Sequence, residues 1–195
     1  MHGLINKALQ RFACDTYGPA LWARAMREGG LDFTDFEPMM RYDPGVTSAA
    51  LDGLCAELGR DRAAVLEDVG TYLVSHPASA GTRRLLRFSG SEYEDFLNAL
   101  DELPDRARLA VPDLVLPRLD MVQTAPDRFT LTCRGRIRHF GHVMVGVLRA
   151  MADDYGALVM LDHHDKGAGV EVIEIALVVA SFARGRDFDL GARTG

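Results

Sequence analysis

The hydrophobic period of this chain changes once, near residue 80, and that change restricts the fold more than any motif does. Before it, apolar residues recur at three- and four-residue spacing, the signature of amphipathic helices. Leu4, Ile5, Ala8, Leu9 and Phe12 form one such stripe, ended by Tyr17-Gly18-Pro19; residues 20–28 form another, stopped by Gly29-Gly30. Thr47 or Ser48 can cap a helix through Leu51, Leu54 and Leu58, and Asp61 can cap the next, which carries Val65, Val69, Tyr72 and Leu73. Helical spacing persists from Thr82 to Leu103, broken at Ser89-Gly90-Ser91, with Pro104 standing where the helix would continue. Beyond it, residues 116–122, 128–138, 157–161 and 169–179 read as strands, separated by Pro126-Asp127 and by the Gly-rich turn at 167–169. Residues 142–155 interrupt them as a helix with Val143, Val147, Met151 and Tyr155 on one stripe. The order, helices and then strand-strand-helix-strand-strand, predicts an α+β fold: a helical N-terminal lobe over a C-terminal lobe with an antiparallel sheet and packing helices. One domain over 1–195 is expected, with a helical lobe at 1–80, an α/β lobe at 81–183 and a frayed tail at 184–195.

Composition narrows the functional classes. With 48% hydrophobic residues the chain can bury a core, and its longest uninterrupted apolar run, 175–180, is far too short to span a bilayer. The charge balance, 22 Lys+Arg against 28 Asp+Glu, is acidic in both halves, so no phosphate-binding field and no nucleic-acid partner is expected. Three scattered cysteines (Cys14, Cys55, Cys133) and a start without a secretory signal suggest a reduced, bacterial-type cytosol.

Residues 1–195 contain no Gly-rich phosphate loop, no HExxH and no CxxC, and no nucleophile–base pair can be named, so an enzyme is not expected. His163-His164-Asp165 precedes the Gly-rich residues and reads as a solvent-facing turn. Cys133, His139 and His142 have ligating atoms but lack a visible fourth ligand. Met39-Met40 and Trp22 read as core filling between helices. Arg134, Arg136 and Arg138 alternate with Cys133, Gly135 and Ile137. On a strand this places three arginines on one face, solvated or docking an acidic partner, and a small apolar set on the other. Arg134 and Arg136 would lower the Cys133 thiol pKa, whereas burial would leave it inert.

An ordered set of local patterns resembles the haem nitric oxide/oxygen-binding (H-NOX) family across nearly the whole chain. It comprises Met1-His2-Gly3-Leu4-Ile5-Asn6-Lys7-Ala8, Tyr17-Gly18 with Trp22, Tyr42 with Val46-Thr47, Leu58-Gly59 with Val65-Leu66, and Tyr72. It continues with Phe96-Leu97, Leu100-Asp101-Glu102-Leu103, Arg106, Pro112 with Leu114, Pro117, and residues 144–148. The resemblance implies haem held between two lobes, a histidine as iron ligand, a Tyr-x-Ser-x-Arg motif on the propionates, and a gas-sensor role. It also implies a separate signalling partner: a histidine kinase or a cyclic-nucleotide or cyclic-dinucleotide enzyme. The chain departs from the pattern at the ligands. Pro104 occupies the iron-ligand position, and proline offers iron no donor atom and interrupts a helix. The propionate motif falls on Cys133, Gly135 and Ile137, a thiol, a hydrogen and an aliphatic chain. Two carboxylates buried there without partners would cost several kcal/mol. No cofactor is therefore expected, although the family implies haem. The expected function is a stand-alone, haem-free cytoplasmic regulatory protein with an apolar interlobe cavity, closed or binding an apolar small molecule. By resemblance Leu4, Ile5, Leu73, Leu97, Leu100, Pro104, Cys133 and Ile137 line it. The alternative is a haem-based gas sensor with a substituted ligand, His76 or Cys133.

Overall fold

The computed structural model describes residues 1–178. Helices α1 (Gly3–Tyr17), α2 (Pro19–Glu28), α3 (Pro44–Leu58) and α4 (Arg62–Ser75) come first. Their starts are set by local chemistry: Asp43 accepts a hydrogen bond from Gly45 N–H ahead of Pro44, and Asp61 accepts from Ala64 N–H. Gly59 ends α3 in the left-handed region at φ 61°. The inward stripes of these helices meet in one core around Phe12, Trp22, Met26, Phe36, Leu54 and Val65. Trp22 lies there as expected, donating from Nε1 to Thr34 O at 2.7 Å. Met39 and Met40 do not: they are 77% and 54% exposed, because their segment has left the helices.

Three short helices follow, α5 (Ala80–Leu86), α6 (Tyr93–Asn98) and α7 (Leu103–Ala110). Pro104 interrupts nothing. The expected continuous helix instead restarts at Leu103, which puts the proline in a first turn where its missing N–H costs no bond.

Strands β1 (Arg118–Ala125), β2 (Arg128–Arg134), β3 (Val159–Gly167) and β4 (Val170–Leu177) form one antiparallel sheet in the order β1-β2-β4-β3. Helix α8 (Phe140–Tyr155) separates the two hairpins in sequence and covers one face of the sheet. That face carries Leu119, Phe129, Leu131, Cys133, Ile173 and Ile175, all at most 2% exposed. Alternation along each strand therefore packs a second core against Met144, Leu148 and Met151. His163 and His164 belong to β3 rather than to the turn, which occupies Gly167–Gly169.

The two sets of elements meet where α4 crosses α8. A Cβ on Gly70 would collide with Val143 O, and one on Gly146 with Glu67 O, so backbone touches backbone there. The expected tail at 184–195 lies outside the described residues.

Candidate functional site: a cavity between the lobes

Beside that crossing the helices stand apart and leave a cavity. Helix α1 turns Leu4, Ile5 and Ala8 towards it, positions that share a helical face. Helix α4 adds Val69, Tyr72 and Leu73, and α8 adds Phe140, Val143, Met144 and Val147. From α7 come Leu103, Arg106, Ala107 and Ala110, again one face. The space forms two adjoining chambers of about 470 Å³ and 870 Å³, which share Ile5, Ala8, Leu73, Leu116, Phe140 and Val143. Volumes of this order suit small-molecule ligands.

Of the residues expected to line it, Leu4, Ile5, Leu73 and Ile137 do. Leu97, Leu100 and Cys133 lie instead in the core beneath the sheet. Pro104 is buried on α7 beside the lining stripe rather than in it. Gly135 does not line the cavity; its Cα faces Pro117, which a Cβ would meet at 2.9 Å. His76 caps the end of α4, stacks on Tyr72 at 4.6 Å between ring centroids and directs Nδ1 to within 3.8 Å of Asp15.

The reason the expected face fails is that β2 ends at Arg134. Gly135 N–H donates to Gly169 O at 3.0 Å, and the chain then turns towards α8, so period-two alternation stops. Arg136, Ile137 and Arg138 consequently all line the smaller chamber, with His139 held at φ 62° just before α8. Arg134 alone keeps the outward place, 3.4 Å from Asp120. Sequence reasoning therefore missed Arg136 and Arg138 as cavity residues. Gly135 was the signal, since a glycine inside a strand pattern often marks its break.

The cavity's electrostatics are one-sided. Its lining includes Arg62, Arg136, Arg138, Lys7, Arg11, Arg84 and Arg106, and no aspartate or glutamate. Arg62 is engaged by Asp52 and Ser48, and Lys7 by Asp35. Among the described residues, Arg11, Arg84, Arg136 and Arg138 have no carboxylate partner within 4 Å.

Behind the α8 N-terminus lies a second polar group. His163 Nε2 is 2.9 Å from the buried Glu171, which also accepts Gly141 N–H at 3.1 Å. The His142 ring packs 4.0 Å from that of His163, with Nδ1 3.5 Å from Glu67. Burial, then the neighbouring His163, lowers the His142 pKa below its ordinary 6.5. Cys133 lies in the core beneath the sheet, where burial, reinforced by Glu171, pushes its thiol up to about 12. Among the described residues no group of three or more His, Cys, Asp or Glu side chains can hold a metal ion.

A helical lobe joined to a sheet lobe with a cavity between them defines a two-lobed α+β domain. The Haem-NO-binding family model matches residues 2–163, and the chain belongs to that family. It is similar to the soluble guanylate cyclase gcy-31 of Caenorhabditis elegans, 24% identical over 155 residues, covering 79% of this chain. The aligned region is only 22% of that protein's length. Among solved structures, an H-NOX protein from K. algicida superposes with a TM-score of 0.77 at 14% identity, over 93% of this chain and 99% of that one. A T. tengcongensis H-NOX variant gives 0.74 at 15%, over 91% and 98%. These likenesses establish the two-lobed fold.

H-NOX domains are gas-sensing signalling domains that usually bind haem. Here α7 turns Leu103, Arg106, Ala107, Leu109 and Ala110 to the cavity, none of them a ligand for haem iron. The imidazole lining the cavity, among the described residues, is that of His139, on the other chamber's wall. Cations are present for carboxylates, but the α7 residues that line the cavity do not fit an iron centre.

Proposed function

We propose that this chain is a haem-free H-NOX regulatory module that takes an apolar small molecule into the interlobe cavity and signals to a separate protein. The observation that carries this is the lining of α7, where Leu103, Ala107 and Ala110 supply apolar contact in place of a metal ligand, with Pro104 behind them. Residues from α1 and α4 of the helical lobe and from α7 and α8 of the sheet lobe line the cavity together. A ligand that prefers one spacing of these helices shifts the population of lobe orientations by its difference in affinity for them. No catalytic role is assigned to the module. A histidine kinase or a cyclic-nucleotide or cyclic-dinucleotide enzyme is the partner class that the family suggests.

The test is an absorbance spectrum of purified protein after saturation with hemin and removal of the excess. No sharp Soret band is expected. A band with an iron–nitrogen bond overturns the haem-free reading. A second reading, haem with a substituted ligand, is favoured only by the place of His139 in the lining. It requires that band, and its loss in His139→Ala. His76 and Cys133 stand outside the cavity lining.

A further inference from the structure

The molecule is acidic overall, with 28 Asp+Glu against 22 Lys+Arg, yet seven basic residues and no acidic one line its cavity. Surface composition alone would place carboxylates beside those cations, as it does elsewhere: Arg24 meets Glu57, Arg87 meets Asp154 and Arg149 meets Glu67. Arg62 and Lys7 in the lining are paired in the same way, but at Arg136 and Arg138 the pairing stops. Arg136 and Arg138 are exposed while lining the smaller chamber, so their guanidinium groups lie where the cavity meets solvent. Within the described residues neither has an ion-pair partner, and Ile137 between them faces the same space. Behind them the walls are aliphatic, with Ile5, Leu9 and Leu73 leading towards the larger chamber.

A largely aliphatic cavity bordered by two guanidinium groups that no described carboxylate pairs is complementary to an amphiphile with an anionic head. Planar guanidinium forks match a carboxylate in bidentate fashion, and an arginine keeps its charge at any physiological pH. The neighbouring N-terminus of α8 does not add a phosphate seat, because its Gly141 N–H is already taken by Glu171. We infer that the interlobe cavity is a binding site for a long-chain carboxylate of the fatty-acid class, its chain among Ile5, Leu9 and Leu73 and its head on Arg136 and Arg138. This rests on the haem-free reading of the same cavity and supplies its ligand class.

The test uses the full chain, delipidated, and titrates cis-parinaric acid by its fluorescence, with competition by hexadecanoate, methyl hexadecanoate, hexadecyl phosphate and hemin. One saturable site is expected, displaced by hexadecanoate and at least about tenfold less effectively by the methyl ester, given the strength of charge-assisted hydrogen bonds. Arg136→Ala with Arg138→Ala weakens the acid by about tenfold or more and leaves the ester unchanged; lysine at both positions restores part of the loss. Ile5→Trp, which fills the shared wall, blocks acid and ester alike. Far-UV circular dichroism establishes that each variant is folded. Equal binding of acid and ester, or equal loss of both in the double alanine variant, overturns the carboxylate head while leaving an apolar cavity site standing. Tighter competition by hexadecyl phosphate overturns the carboxylate in favour of a phosphate head. Unaltered parinarate binding in Ile5→Trp places the site elsewhere and sinks the inference, and binding of none of the apolar probes removes both readings. Hemin that competes and shows an iron–nitrogen bond overturns the haem-free reading itself.

Discussion

Two side chains near the α8 N-terminus illustrate how burial decides chemistry residue by residue. Cys133 is 2% exposed and faces Glu171, conditions that hold its thiol protonated, since the thiolate is the reactive form. Native-state alkylation of Cys133 by iodoacetamide at pH 8 is therefore expected to be more than about a hundredfold slower than that of a free thiol. Quantitative mass spectrometry of each cysteine checks this; a free-thiol rate at Cys133 contradicts the packing. His142 responds to pH in the opposite sense from a salt-bridged histidine. Its folded pKa is depressed, so below about pH 6.5 the unfolded chain takes up a proton that the folded chain resists, and stability falls with pH. The groups facing it are Glu67, His163, Glu171 and, through Glu67, Arg149. Relative to His142→Gln, the wild-type chain should lose stability between pH 7.5 and 5.5, by no more than about 1.4 kcal/mol per pH unit, as read from urea midpoints.

At the scale of elements, the α4–α8 crossing is the contact most sensitive to a single carbon atom. Gly146→Ala drives a methyl group into Glu67 O, and Gly70→Ala drives one into Val143 O. Either is expected to cost about 1–3 kcal/mol or more, because two backbones cannot yield as side-chain tips do. An unchanged urea midpoint in both variants would mean that the helices do not meet this closely. These elements were largely legible beforehand, because a 3.6-residue period and strand alternation both follow from which face is buried. Strand ends were not. The Cys/Arg/Gly/Arg/Ile/Arg sequence of residues 133–138 alternates identically whether it stays in the sheet or leaves it, and β2 stops at Arg134, with the Gly135–Gly169 hydrogen bond just beyond it. Cavity residues suffered accordingly: Leu4, Ile5 and Leu73 were named from the family resemblance and stand on intact helices, whereas Arg136 and Arg138 depended on a strand end. His163 was placed in a turn for a related reason, since its inward position beside Glu171 is polar and gives no hydrophobic signal.

Across the whole molecule, two cores are built independently, one among the first four helices and one beneath α8 and the sheet. The N- and C-terminal elements therefore do not share one continuous interior, and the cavity occupies the seam between them. No helix among the described residues is long and apolar enough to cross a membrane. Glycine meeting backbone at the α4–α8 crossing gives this seam a fulcrum, since bare main chain cannot be compressed but can roll. Helix α8 runs nine residues past Gly146 to Tyr155, about 13 Å at 1.5 Å per residue. A tilt of about 10° at Gly146 thus carries Tyr155 through about 2 Å, by the lever arm of that helical rise. The same tilt moves the sheet against which α8 is packed. Under the function proposed above, a guest wedged beside this crossing would be geared up into a displacement large enough for another protein to feel at the far end of the helix.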